Sequence, residues 1–140
     1  MTGSTERETF SLDAEHRAGA ATLDMKISGN WTTSSTHTSH YNGLRATPSW
    51  DSDGTSTTRY ITDPDGQLLA LTGSTGSTRL VLSDVRGDIA VELNTATGAV
   101  TTGSYDEFGV TSSTGRYGWQ GATQAADRRP AGLILMNGRS

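Results

Sequence analysis

The sequence predicts an all-β protein, an antiparallel meander of hairpins, and three observations carry that expectation. Glycines recur at near-regular spacing: Gly54, Gly66, Gly87, Gly98 and Gly109 follow one another at intervals of 12, 21, 11 and 11 residues. Each ends a turn-forming group: Asp51-Ser52-Asp53-Gly54, Asp63-Pro64-Asp65-Gly66, Asp84-Val85-Arg86-Gly87, Asn94-Thr95-Ala96-Thr97-Gly98 and Tyr105-Asp106-Glu107-Phe108-Gly109. An Asx side chain bonds the backbone two residues on, and Gly accepts the positive φ that closes a tight turn. Composition is the third observation. Leu, Ile, Val and Phe supply only 22 of the 140 residues, whereas Ser and Thr supply 39. A fraction this low accompanies disorder when net charge is high. Here the net charge is only -4, so repetitive β structure, or a piece of a larger assembly, is the better expectation.

Taken in order, residues 1–56 read as an irregular leading segment. Phe10 to Asp13, Ala21 to Ile27 and Trp31 to Tyr41 are weaker strands between polar loops. The nearly all-polar Trp31 to His40 fits an exposed strand or a loop equally well. The one helix candidate is short, around Asp13 to Gly19. Residues 57–115 form the regular part, in a meander of six or more strands from about Thr57 to Gln120. Thr57 to Thr62 is rich in β-branched and aromatic residues, and Gln67 to Thr72 is short enough between turns to be a strand. Leu80 and Leu82 share a face opposite Val81, while Ile89, Val91 and Leu93 alternate with Asp88, Ala90 and Glu92, which predicts one buried face. Gly73 to Ser77 is a hairpin tip. Residues 116–140 form the third part.

Several functions are disfavoured. With no Cys there is no disulfide, Cys-ligated zinc or thiol nucleophile. Apolar runs are far shorter than the ~20 residues that span a bilayer, so no membrane insertion is expected. Met1 to Glu6 has neither the basic start nor the apolar stretch of a secretory signal. An isoelectric point near 5.2 with scattered arginines argues against nucleic acid. Asp51 with Asp53, and Asp63 with Asp65, lack the further ligands of a calcium loop and read as turn acids. His37 and His40 are three apart, a shared face on a helix but opposite faces in a strand; the local Ser/Thr composition favours strand or loop, no third ligand is present, and both read as solvated, while His16 stands alone. Asn30-Trp31-Thr32 matches a glycosylation acceptor by chance-level pattern alone. No nucleophile elbow or phosphate loop is present. Trp31, Trp50 and Trp119 read as packing aromatics, with a glycan platform as the alternative. No catalytic residue, metal or cofactor is expected.

The motif order from 59 to 139 resembles the RHS/YD-repeat proteins, bacterial relatives of the teneurin shell. The residues that carry it are Arg59-Tyr60, Asp63 to Gly66, Asp84 to Gly87, Asn94 to Gly98 and Tyr105-Asp106-Glu107-Phe108-Gly109. They are followed by Arg116-Tyr117-Gly118-Trp119-Gln120-Gly121 and by Pro130-Ala131-Gly132-Leu133-Ile134-Leu135-Met136, similar to the start of the actinobacterial RHS repeat-associated core. Thr5 through Arg17 looks like one more, degenerate repeat. The resemblance implies part of a spiralling β-shell, a cocoon that encloses a C-terminal toxin or effector of a larger secreted protein. Its implied partners are the remaining repeats and that cargo, at an extracellular or cell-surface location. The core motif breaks off at Ser140, so the family's self-cleavage residues are not expected here. Two other expectations are a glycan-binding or adhesion module and an inert truncated remnant.

Overall fold

A computed structural model describes residues 5–45, 47–106 and 117–123, and the backbone of two short strands at 126–128 and 133–135. Nine strands form one open antiparallel sheet in sequence order: β1 Glu6–Leu12, β2 Ala18–Ile27, β3 Asn30–Tyr41, β4 Pro48–Ser52, β5 Thr57–Thr62, β6 Leu68–Gly73, β7 Thr78–Ser83, β8 Ile89–Asn94 and β9 Val100–Thr102. A 3-10 turn at Gly121–Thr123 follows, then the β10 Ala126–Arg128 and β11 Leu133–Leu135 hairpin. The protein is an all-β antiparallel meander, as the glycine spacing predicts, and the sheet does not close.

One expectation changes and one open alternative is resolved. The Asp13 to Gly19 helix is instead a hairpin turn, because the Asp13 carboxylate accepts the amides of Glu15 and Arg17 and holds the chain in a reversal. The polar stretch Trp31 to His40 belongs to β3, the longest strand at 12 residues. The leading segment carries register shifts at Ser11/Leu12, Leu23/Asp24 and His40/Tyr41, and it continues into the same sheet through the β4–β5 turn, where Ser52 faces Thr57.

One turn design recurs. In Asp13 to Arg17, Asp63 to Gln67 and Asp84 to Asp88, the Asp amide donates to the carbonyl of the fifth residue at 2.9 Å. The fourth residue, His16, Gly66 or Gly87, has positive φ and returns its amide to the Asp carbonyl. The Asp Oδ1 accepts the amide of the fifth residue, Arg17, Gln67 or Asp88. This is the three-residue hairpin loop that ends in a left-handed position. Gly73 to Ser77 repeats the backbone bonds without the carboxylate.

Each Asp turn is followed by a register shift at the same offset. Between Ser11 and Leu12, Ile61 and Thr62, and Leu82 and Ser83, the partner strand carries one extra residue: Gly19, Leu69 or Ala90. A bulge of this kind turns the following side chains over relative to simple alternation. It decides the core. Leu68 and Ile89, each one residue before a bulge, join Leu71, Val81 and Tyr117 in the buried cluster, with Tyr60 packed against it.

Simple alternation therefore misplaces part of the second half. Ile89 lies on the face of Val81, apart from Val91 and Leu93, because Ala90 intervenes as the extra residue. The buried side is that of Val81, 4% exposed, while Leu82 on the other side is 63% exposed. Below, the face that carries Asp51, Tyr60 and Val81 is the core face, and the face of Trp50, Arg59 and Leu80 is the open face.

Candidate functional site

Five of the residues singled out in the sequence, Tyr60, Tyr105, Tyr117, Gly118 and Gly121, come together where Tyr117 to Thr123 crosses the β7–β8 hairpin on the core face. The Ile89 amide donates to the Gly118 carbonyl at 2.8 Å, and the Ala122 amide donates to the Gly87 carbonyl at 3.0 Å. The Gln120 amide donates to Oδ1 of buried Asp88 at 2.8 Å. Gln120 itself takes φ 50, which bends the strap around that carboxylate.

Glycines in this strap are required by close approach. A Cβ at Gly118 would stand 2.8 Å from Cε1 of Tyr105, and one at Gly121 would stand 2.8 Å from Cγ1 of Ile89. Tyr105 and Gly118, in separate sequence motifs, are thus two halves of one contact. Arg86 adds a third link. Its Nη2 donates to the Tyr105 carbonyl at 3.3 Å and lies 2.9 Å from Asp88 Oδ2.

Tyr117 anchors the strap. Its ring meets Tyr60 edge-on, with centroids 5.2 Å apart, a favoured aromatic geometry. The Tyr60 hydroxyl donates to Asp51 Oδ2, which His37 Nε2 also approaches at 2.9 Å. Asp51 is buried on β4, on the core face, and is not the turn acid that its neighbourhood suggested. The turn is made by Asp53, which accepts the amides of Thr55 and Ser56. Likewise, His37 and His40 are engaged rather than simply solvated. His37 pairs with Asp51 on the core face, and His40 stacks on Trp50 at 3.5 Å on the open face. Their opposite placement follows from strand alternation.

Electrostatics stabilise the turns. The amides of Ser56 and Thr55, with their hydroxyls, hold the Asp53 carboxyl far below the ordinary range. At Asp84 burial raises the pKa, but the amides of Asp88 and Arg86 and the Arg86 guanidinium outweigh it, and the net shift is downward. Asp13 behaves alike, with Arg17 as the main opponent of burial. The Arg7 side chain, then the Thr33 hydroxyl, lower Asp24. Burial, followed by the charges of Asp51 and Asp13, raises the Tyr41 hydroxyl.

Other motif residues are placed as follows. Asp63, Gly66, Asp84 and Gly87 form turns, and Gly98 donates to the Asn94 carbonyl at φ 69. Arg59 leaves its neighbour Tyr60 for the open face, between Trp50 and Thr72. Trp119 is half-buried in the strap turn, and Asp106 is exposed. Phe108, Gly109, Arg116, Gly132 and Met136 lie outside the described residues. Asp51, His37, Asp88 and Ile89 were not recognised as site residues in the sequence. Alternation already marks Ile89 as buried; the bulge offset after the Asp turn is the signal that separates it from Val91 and Leu93.

Chemically, a histidine beside a buried carboxylate is the orienting half of an acid–base device. Here the next partner is the Tyr60 phenol, and through Tyr117 the pair ties strap to sheet. Among the described residues no group of three or more His, Asp or Glu is arranged to hold a metal ion. No helix among them is long and apolar enough to cross a membrane. Comparison with protein-family models gives no match, and comparison with curated proteins gives no relative.

Proposed function

We propose that the chain serves as a wall segment of a larger β-shell of the RHS/YD-repeat type, with containment rather than catalysis as its role. One observation carries the reading: an open nine-stranded meander built on a recurring Asp turn and bulge, with β1 and β9 as its outer strands. Each outer strand offers a row of backbone donors and acceptors to a further strand. Stability in such an array comes from neighbour-to-neighbour interfaces, which suits the small core. The partners in this reading are the remaining repeats and an enclosed effector domain, outside the cell.

Amide hydrogen exchange tests it. In the 140-residue chain, the outward amides of Glu8 and Phe10 on β1 and of β9 should exchange faster than the amides of the inner strands β2 to β8. In a product extended by the residues encoded on either side, they should gain protection. Equal exchange in both would overturn the wall reading.

A glycan-binding surface is the second reading. Trp31 favours it, being 38% exposed on the open face with the guanidinium of Arg7 at 4.8 Å and the ammonium of Lys26 at 5.8 Å from its ring. Saturable glycan binding that is lost in Trp31→Ala would support this reading over containment.

A further inference from the structure

The loop from β3 to β4 begins with Asn42-Gly43, a pair that the fold leaves open to attack on itself. Asn42 to Arg45 is exposed, and neither the Asn42 side chain nor the Gly43 amide makes a hydrogen bond among the described residues. Gly43 takes φ 62, and apart from its chain neighbours a Cβ there would meet nothing within 4 Å. The side-chain amide of Asn is thermally labile, and a following glycine, with no Cβ, lets its backbone nitrogen approach the amide carbon. The other side of Gly43 is held. Arg17 Nη1 donates to the Gly43 carbonyl at 2.8 Å and to the Arg45 carbonyl at 3.0 Å, and its guanidinium lies 4.3 Å from the Tyr41 ring centre. Gly43 is thus fixed through its carbonyl while its nitrogen stays open.

Comparable positions elsewhere are closed. At Asp65-Gly66 the Gly66 nitrogen donates to the Asp63 carbonyl at 3.1 Å, which aims it away from its neighbour's side chain. At Asp53-Gly54 the Asp53 carboxylate accepts the amides and hydroxyls of Thr55 and Ser56. Those bonds keep it ionised, and an ionised carboxylate is a poor electrophile. Asn94 holds the amides of Ala96 and Thr97 on its Oδ1, and the β-branched Thr95 follows it. Among the described residues, Asn42 is therefore the one Asn or Asp that combines an unrestrained side chain with an open glycine nitrogen after it.

We propose that Asn42-Gly43 is a self-modification site of the folded chain, with water as its one co-reactant, and that its product releases the β3–β4 loop from Arg17. The Gly43 nitrogen attacks Asn42 Cγ. The N–Cγ bond forms, the Cγ–Nδ2 bond breaks, and ammonia leaves with the proton of the Gly43 amide. Water then opens the cyclic imide. Cleavage of the new N–Cγ bond leaves aspartate, whereas cleavage of the original peptide bond leaves isoaspartate, in which the chain runs through the side chain. Nothing is oxidised or reduced. Either product adds one negative charge to a net charge of -4. Isoaspartate also inserts an extra carbon into the backbone beside the carbonyl that Arg17 grips, so the clasp between the β1–β2 turn and this loop is lost. The site is a slow, one-way timer on that link, and it does not depend on the wall reading.

Peptide mapping by mass spectrometry tests it, after incubation of the 140-residue chain at mildly alkaline pH with and without urea. Asn42 should convert at similar rates folded and unfolded. Asp53 and Asp65 should form isoaspartate about tenfold more slowly in the folded chain, because native hydrogen bonds must open first. Asn42→Gln, whose longer side chain closes a ring far less readily, should remove the product at this position. Trypsin reads the release, since the carbonyl it must attack after Arg45 is one that Arg17 holds. Cleavage there should be about two- to tenfold faster in the purified isoaspartate form, the range expected for one lost hydrogen bond. Asn42→Asp, with the ordinary backbone, should be cut at the wild-type rate. Conversion of Asn42 only in urea, or folded isomerisation of Asp53 and Asp65 as fast as in urea, would overturn the site. Equal cleavage of the isoaspartate form and Asn42→Asp would overturn the release.

Discussion

The two halves of the sheet are held together by different physics. β1–β3 are long, at 7, 10 and 12 residues, yet among their described residues Ala21 is the one buried apolar side chain. Their cohesion is polar and cross-strand. Arg7 pairs with Asp24 at 2.7 Å, Thr33 bonds the same carboxylate at 2.8 Å, and Arg17 reaches Asp13 and the carbonyls of Gly43 and Arg45. β5–β8 have six residues each, but they bury Leu68, Leu71, Val81 and Ile89 beneath Tyr117. Ion pairs with one partner still in water contribute little net stability, whereas a buried Leu or Ile side chain contributes about 1.5–3 kcal/mol. Strand length is therefore a poor guide to where this protein is strong. The shorter strands carry more stability because a strap covers them.

The largest test of that contrast is Tyr117→Ala. Removing a buried aromatic should destabilise the protein by about 3–5 kcal/mol in urea unfolding. Exchange should rise first in β6–β8, and much less in β1–β3. Uniform loss of protection across the sheet would show that the halves are one cooperative unit.

A sharper test addresses the Tyr105–Gly118 contact. Gly118→Ala introduces a Cβ into the Tyr105 ring and should cost about 1–3 kcal/mol, the usual range for overpacking. Tyr105→Ala in the same background should recover part of that loss in a double-mutant cycle. Additive effects would mean that the two residues do not meet.

Acid should produce the smallest effect near neutrality. The folded pKa values of Asp13, Asp24, Asp53 and Asp84 all lie below their ordinary value. Their contribution is fully present above the unfolded value of about 3.9 and is lost as pH falls through the folded values. Thermal midpoints should hold between pH 7 and about 5 and fall below about 4. Loss of the Asp84 share, isolated with Asp84→Asn, should flatten that acid limb. An unchanged limb would remove Asp84 from the cause.

Much of the strand pattern was legible because its signals are local. Asp63, Gly66, Asp84 and Gly87 close turns through bonds within five residues, and such chemistry is written in adjacent residues. The strand in Trp31 to His40 was ambiguous because its hydroxyl-rich side chains carry no apolar period. His37 and Asp51 read as unconnected because their contact at 2.9 Å joins separate strands. Trp50 lies on the open face with His40 and Arg59, a grouping fixed by register rather than by spacing.

What the sequence determined by itself is where the chain reverses and that it pairs with itself in order, since Asx turns, positive-φ positions and β-prone runs act over a few residues. Tertiary structure decided which face became the core. Alternation makes Leu80 and Leu82 equivalent to Val81 in every respect but side. Bulges at Leu69 and Ala90 turn Leu68 and Ile89 toward Val81, and the Tyr117 strap seals that side from a point more than 25 residues downstream. Burial is a property of what lies above a surface, and no local pattern specifies what will lie there.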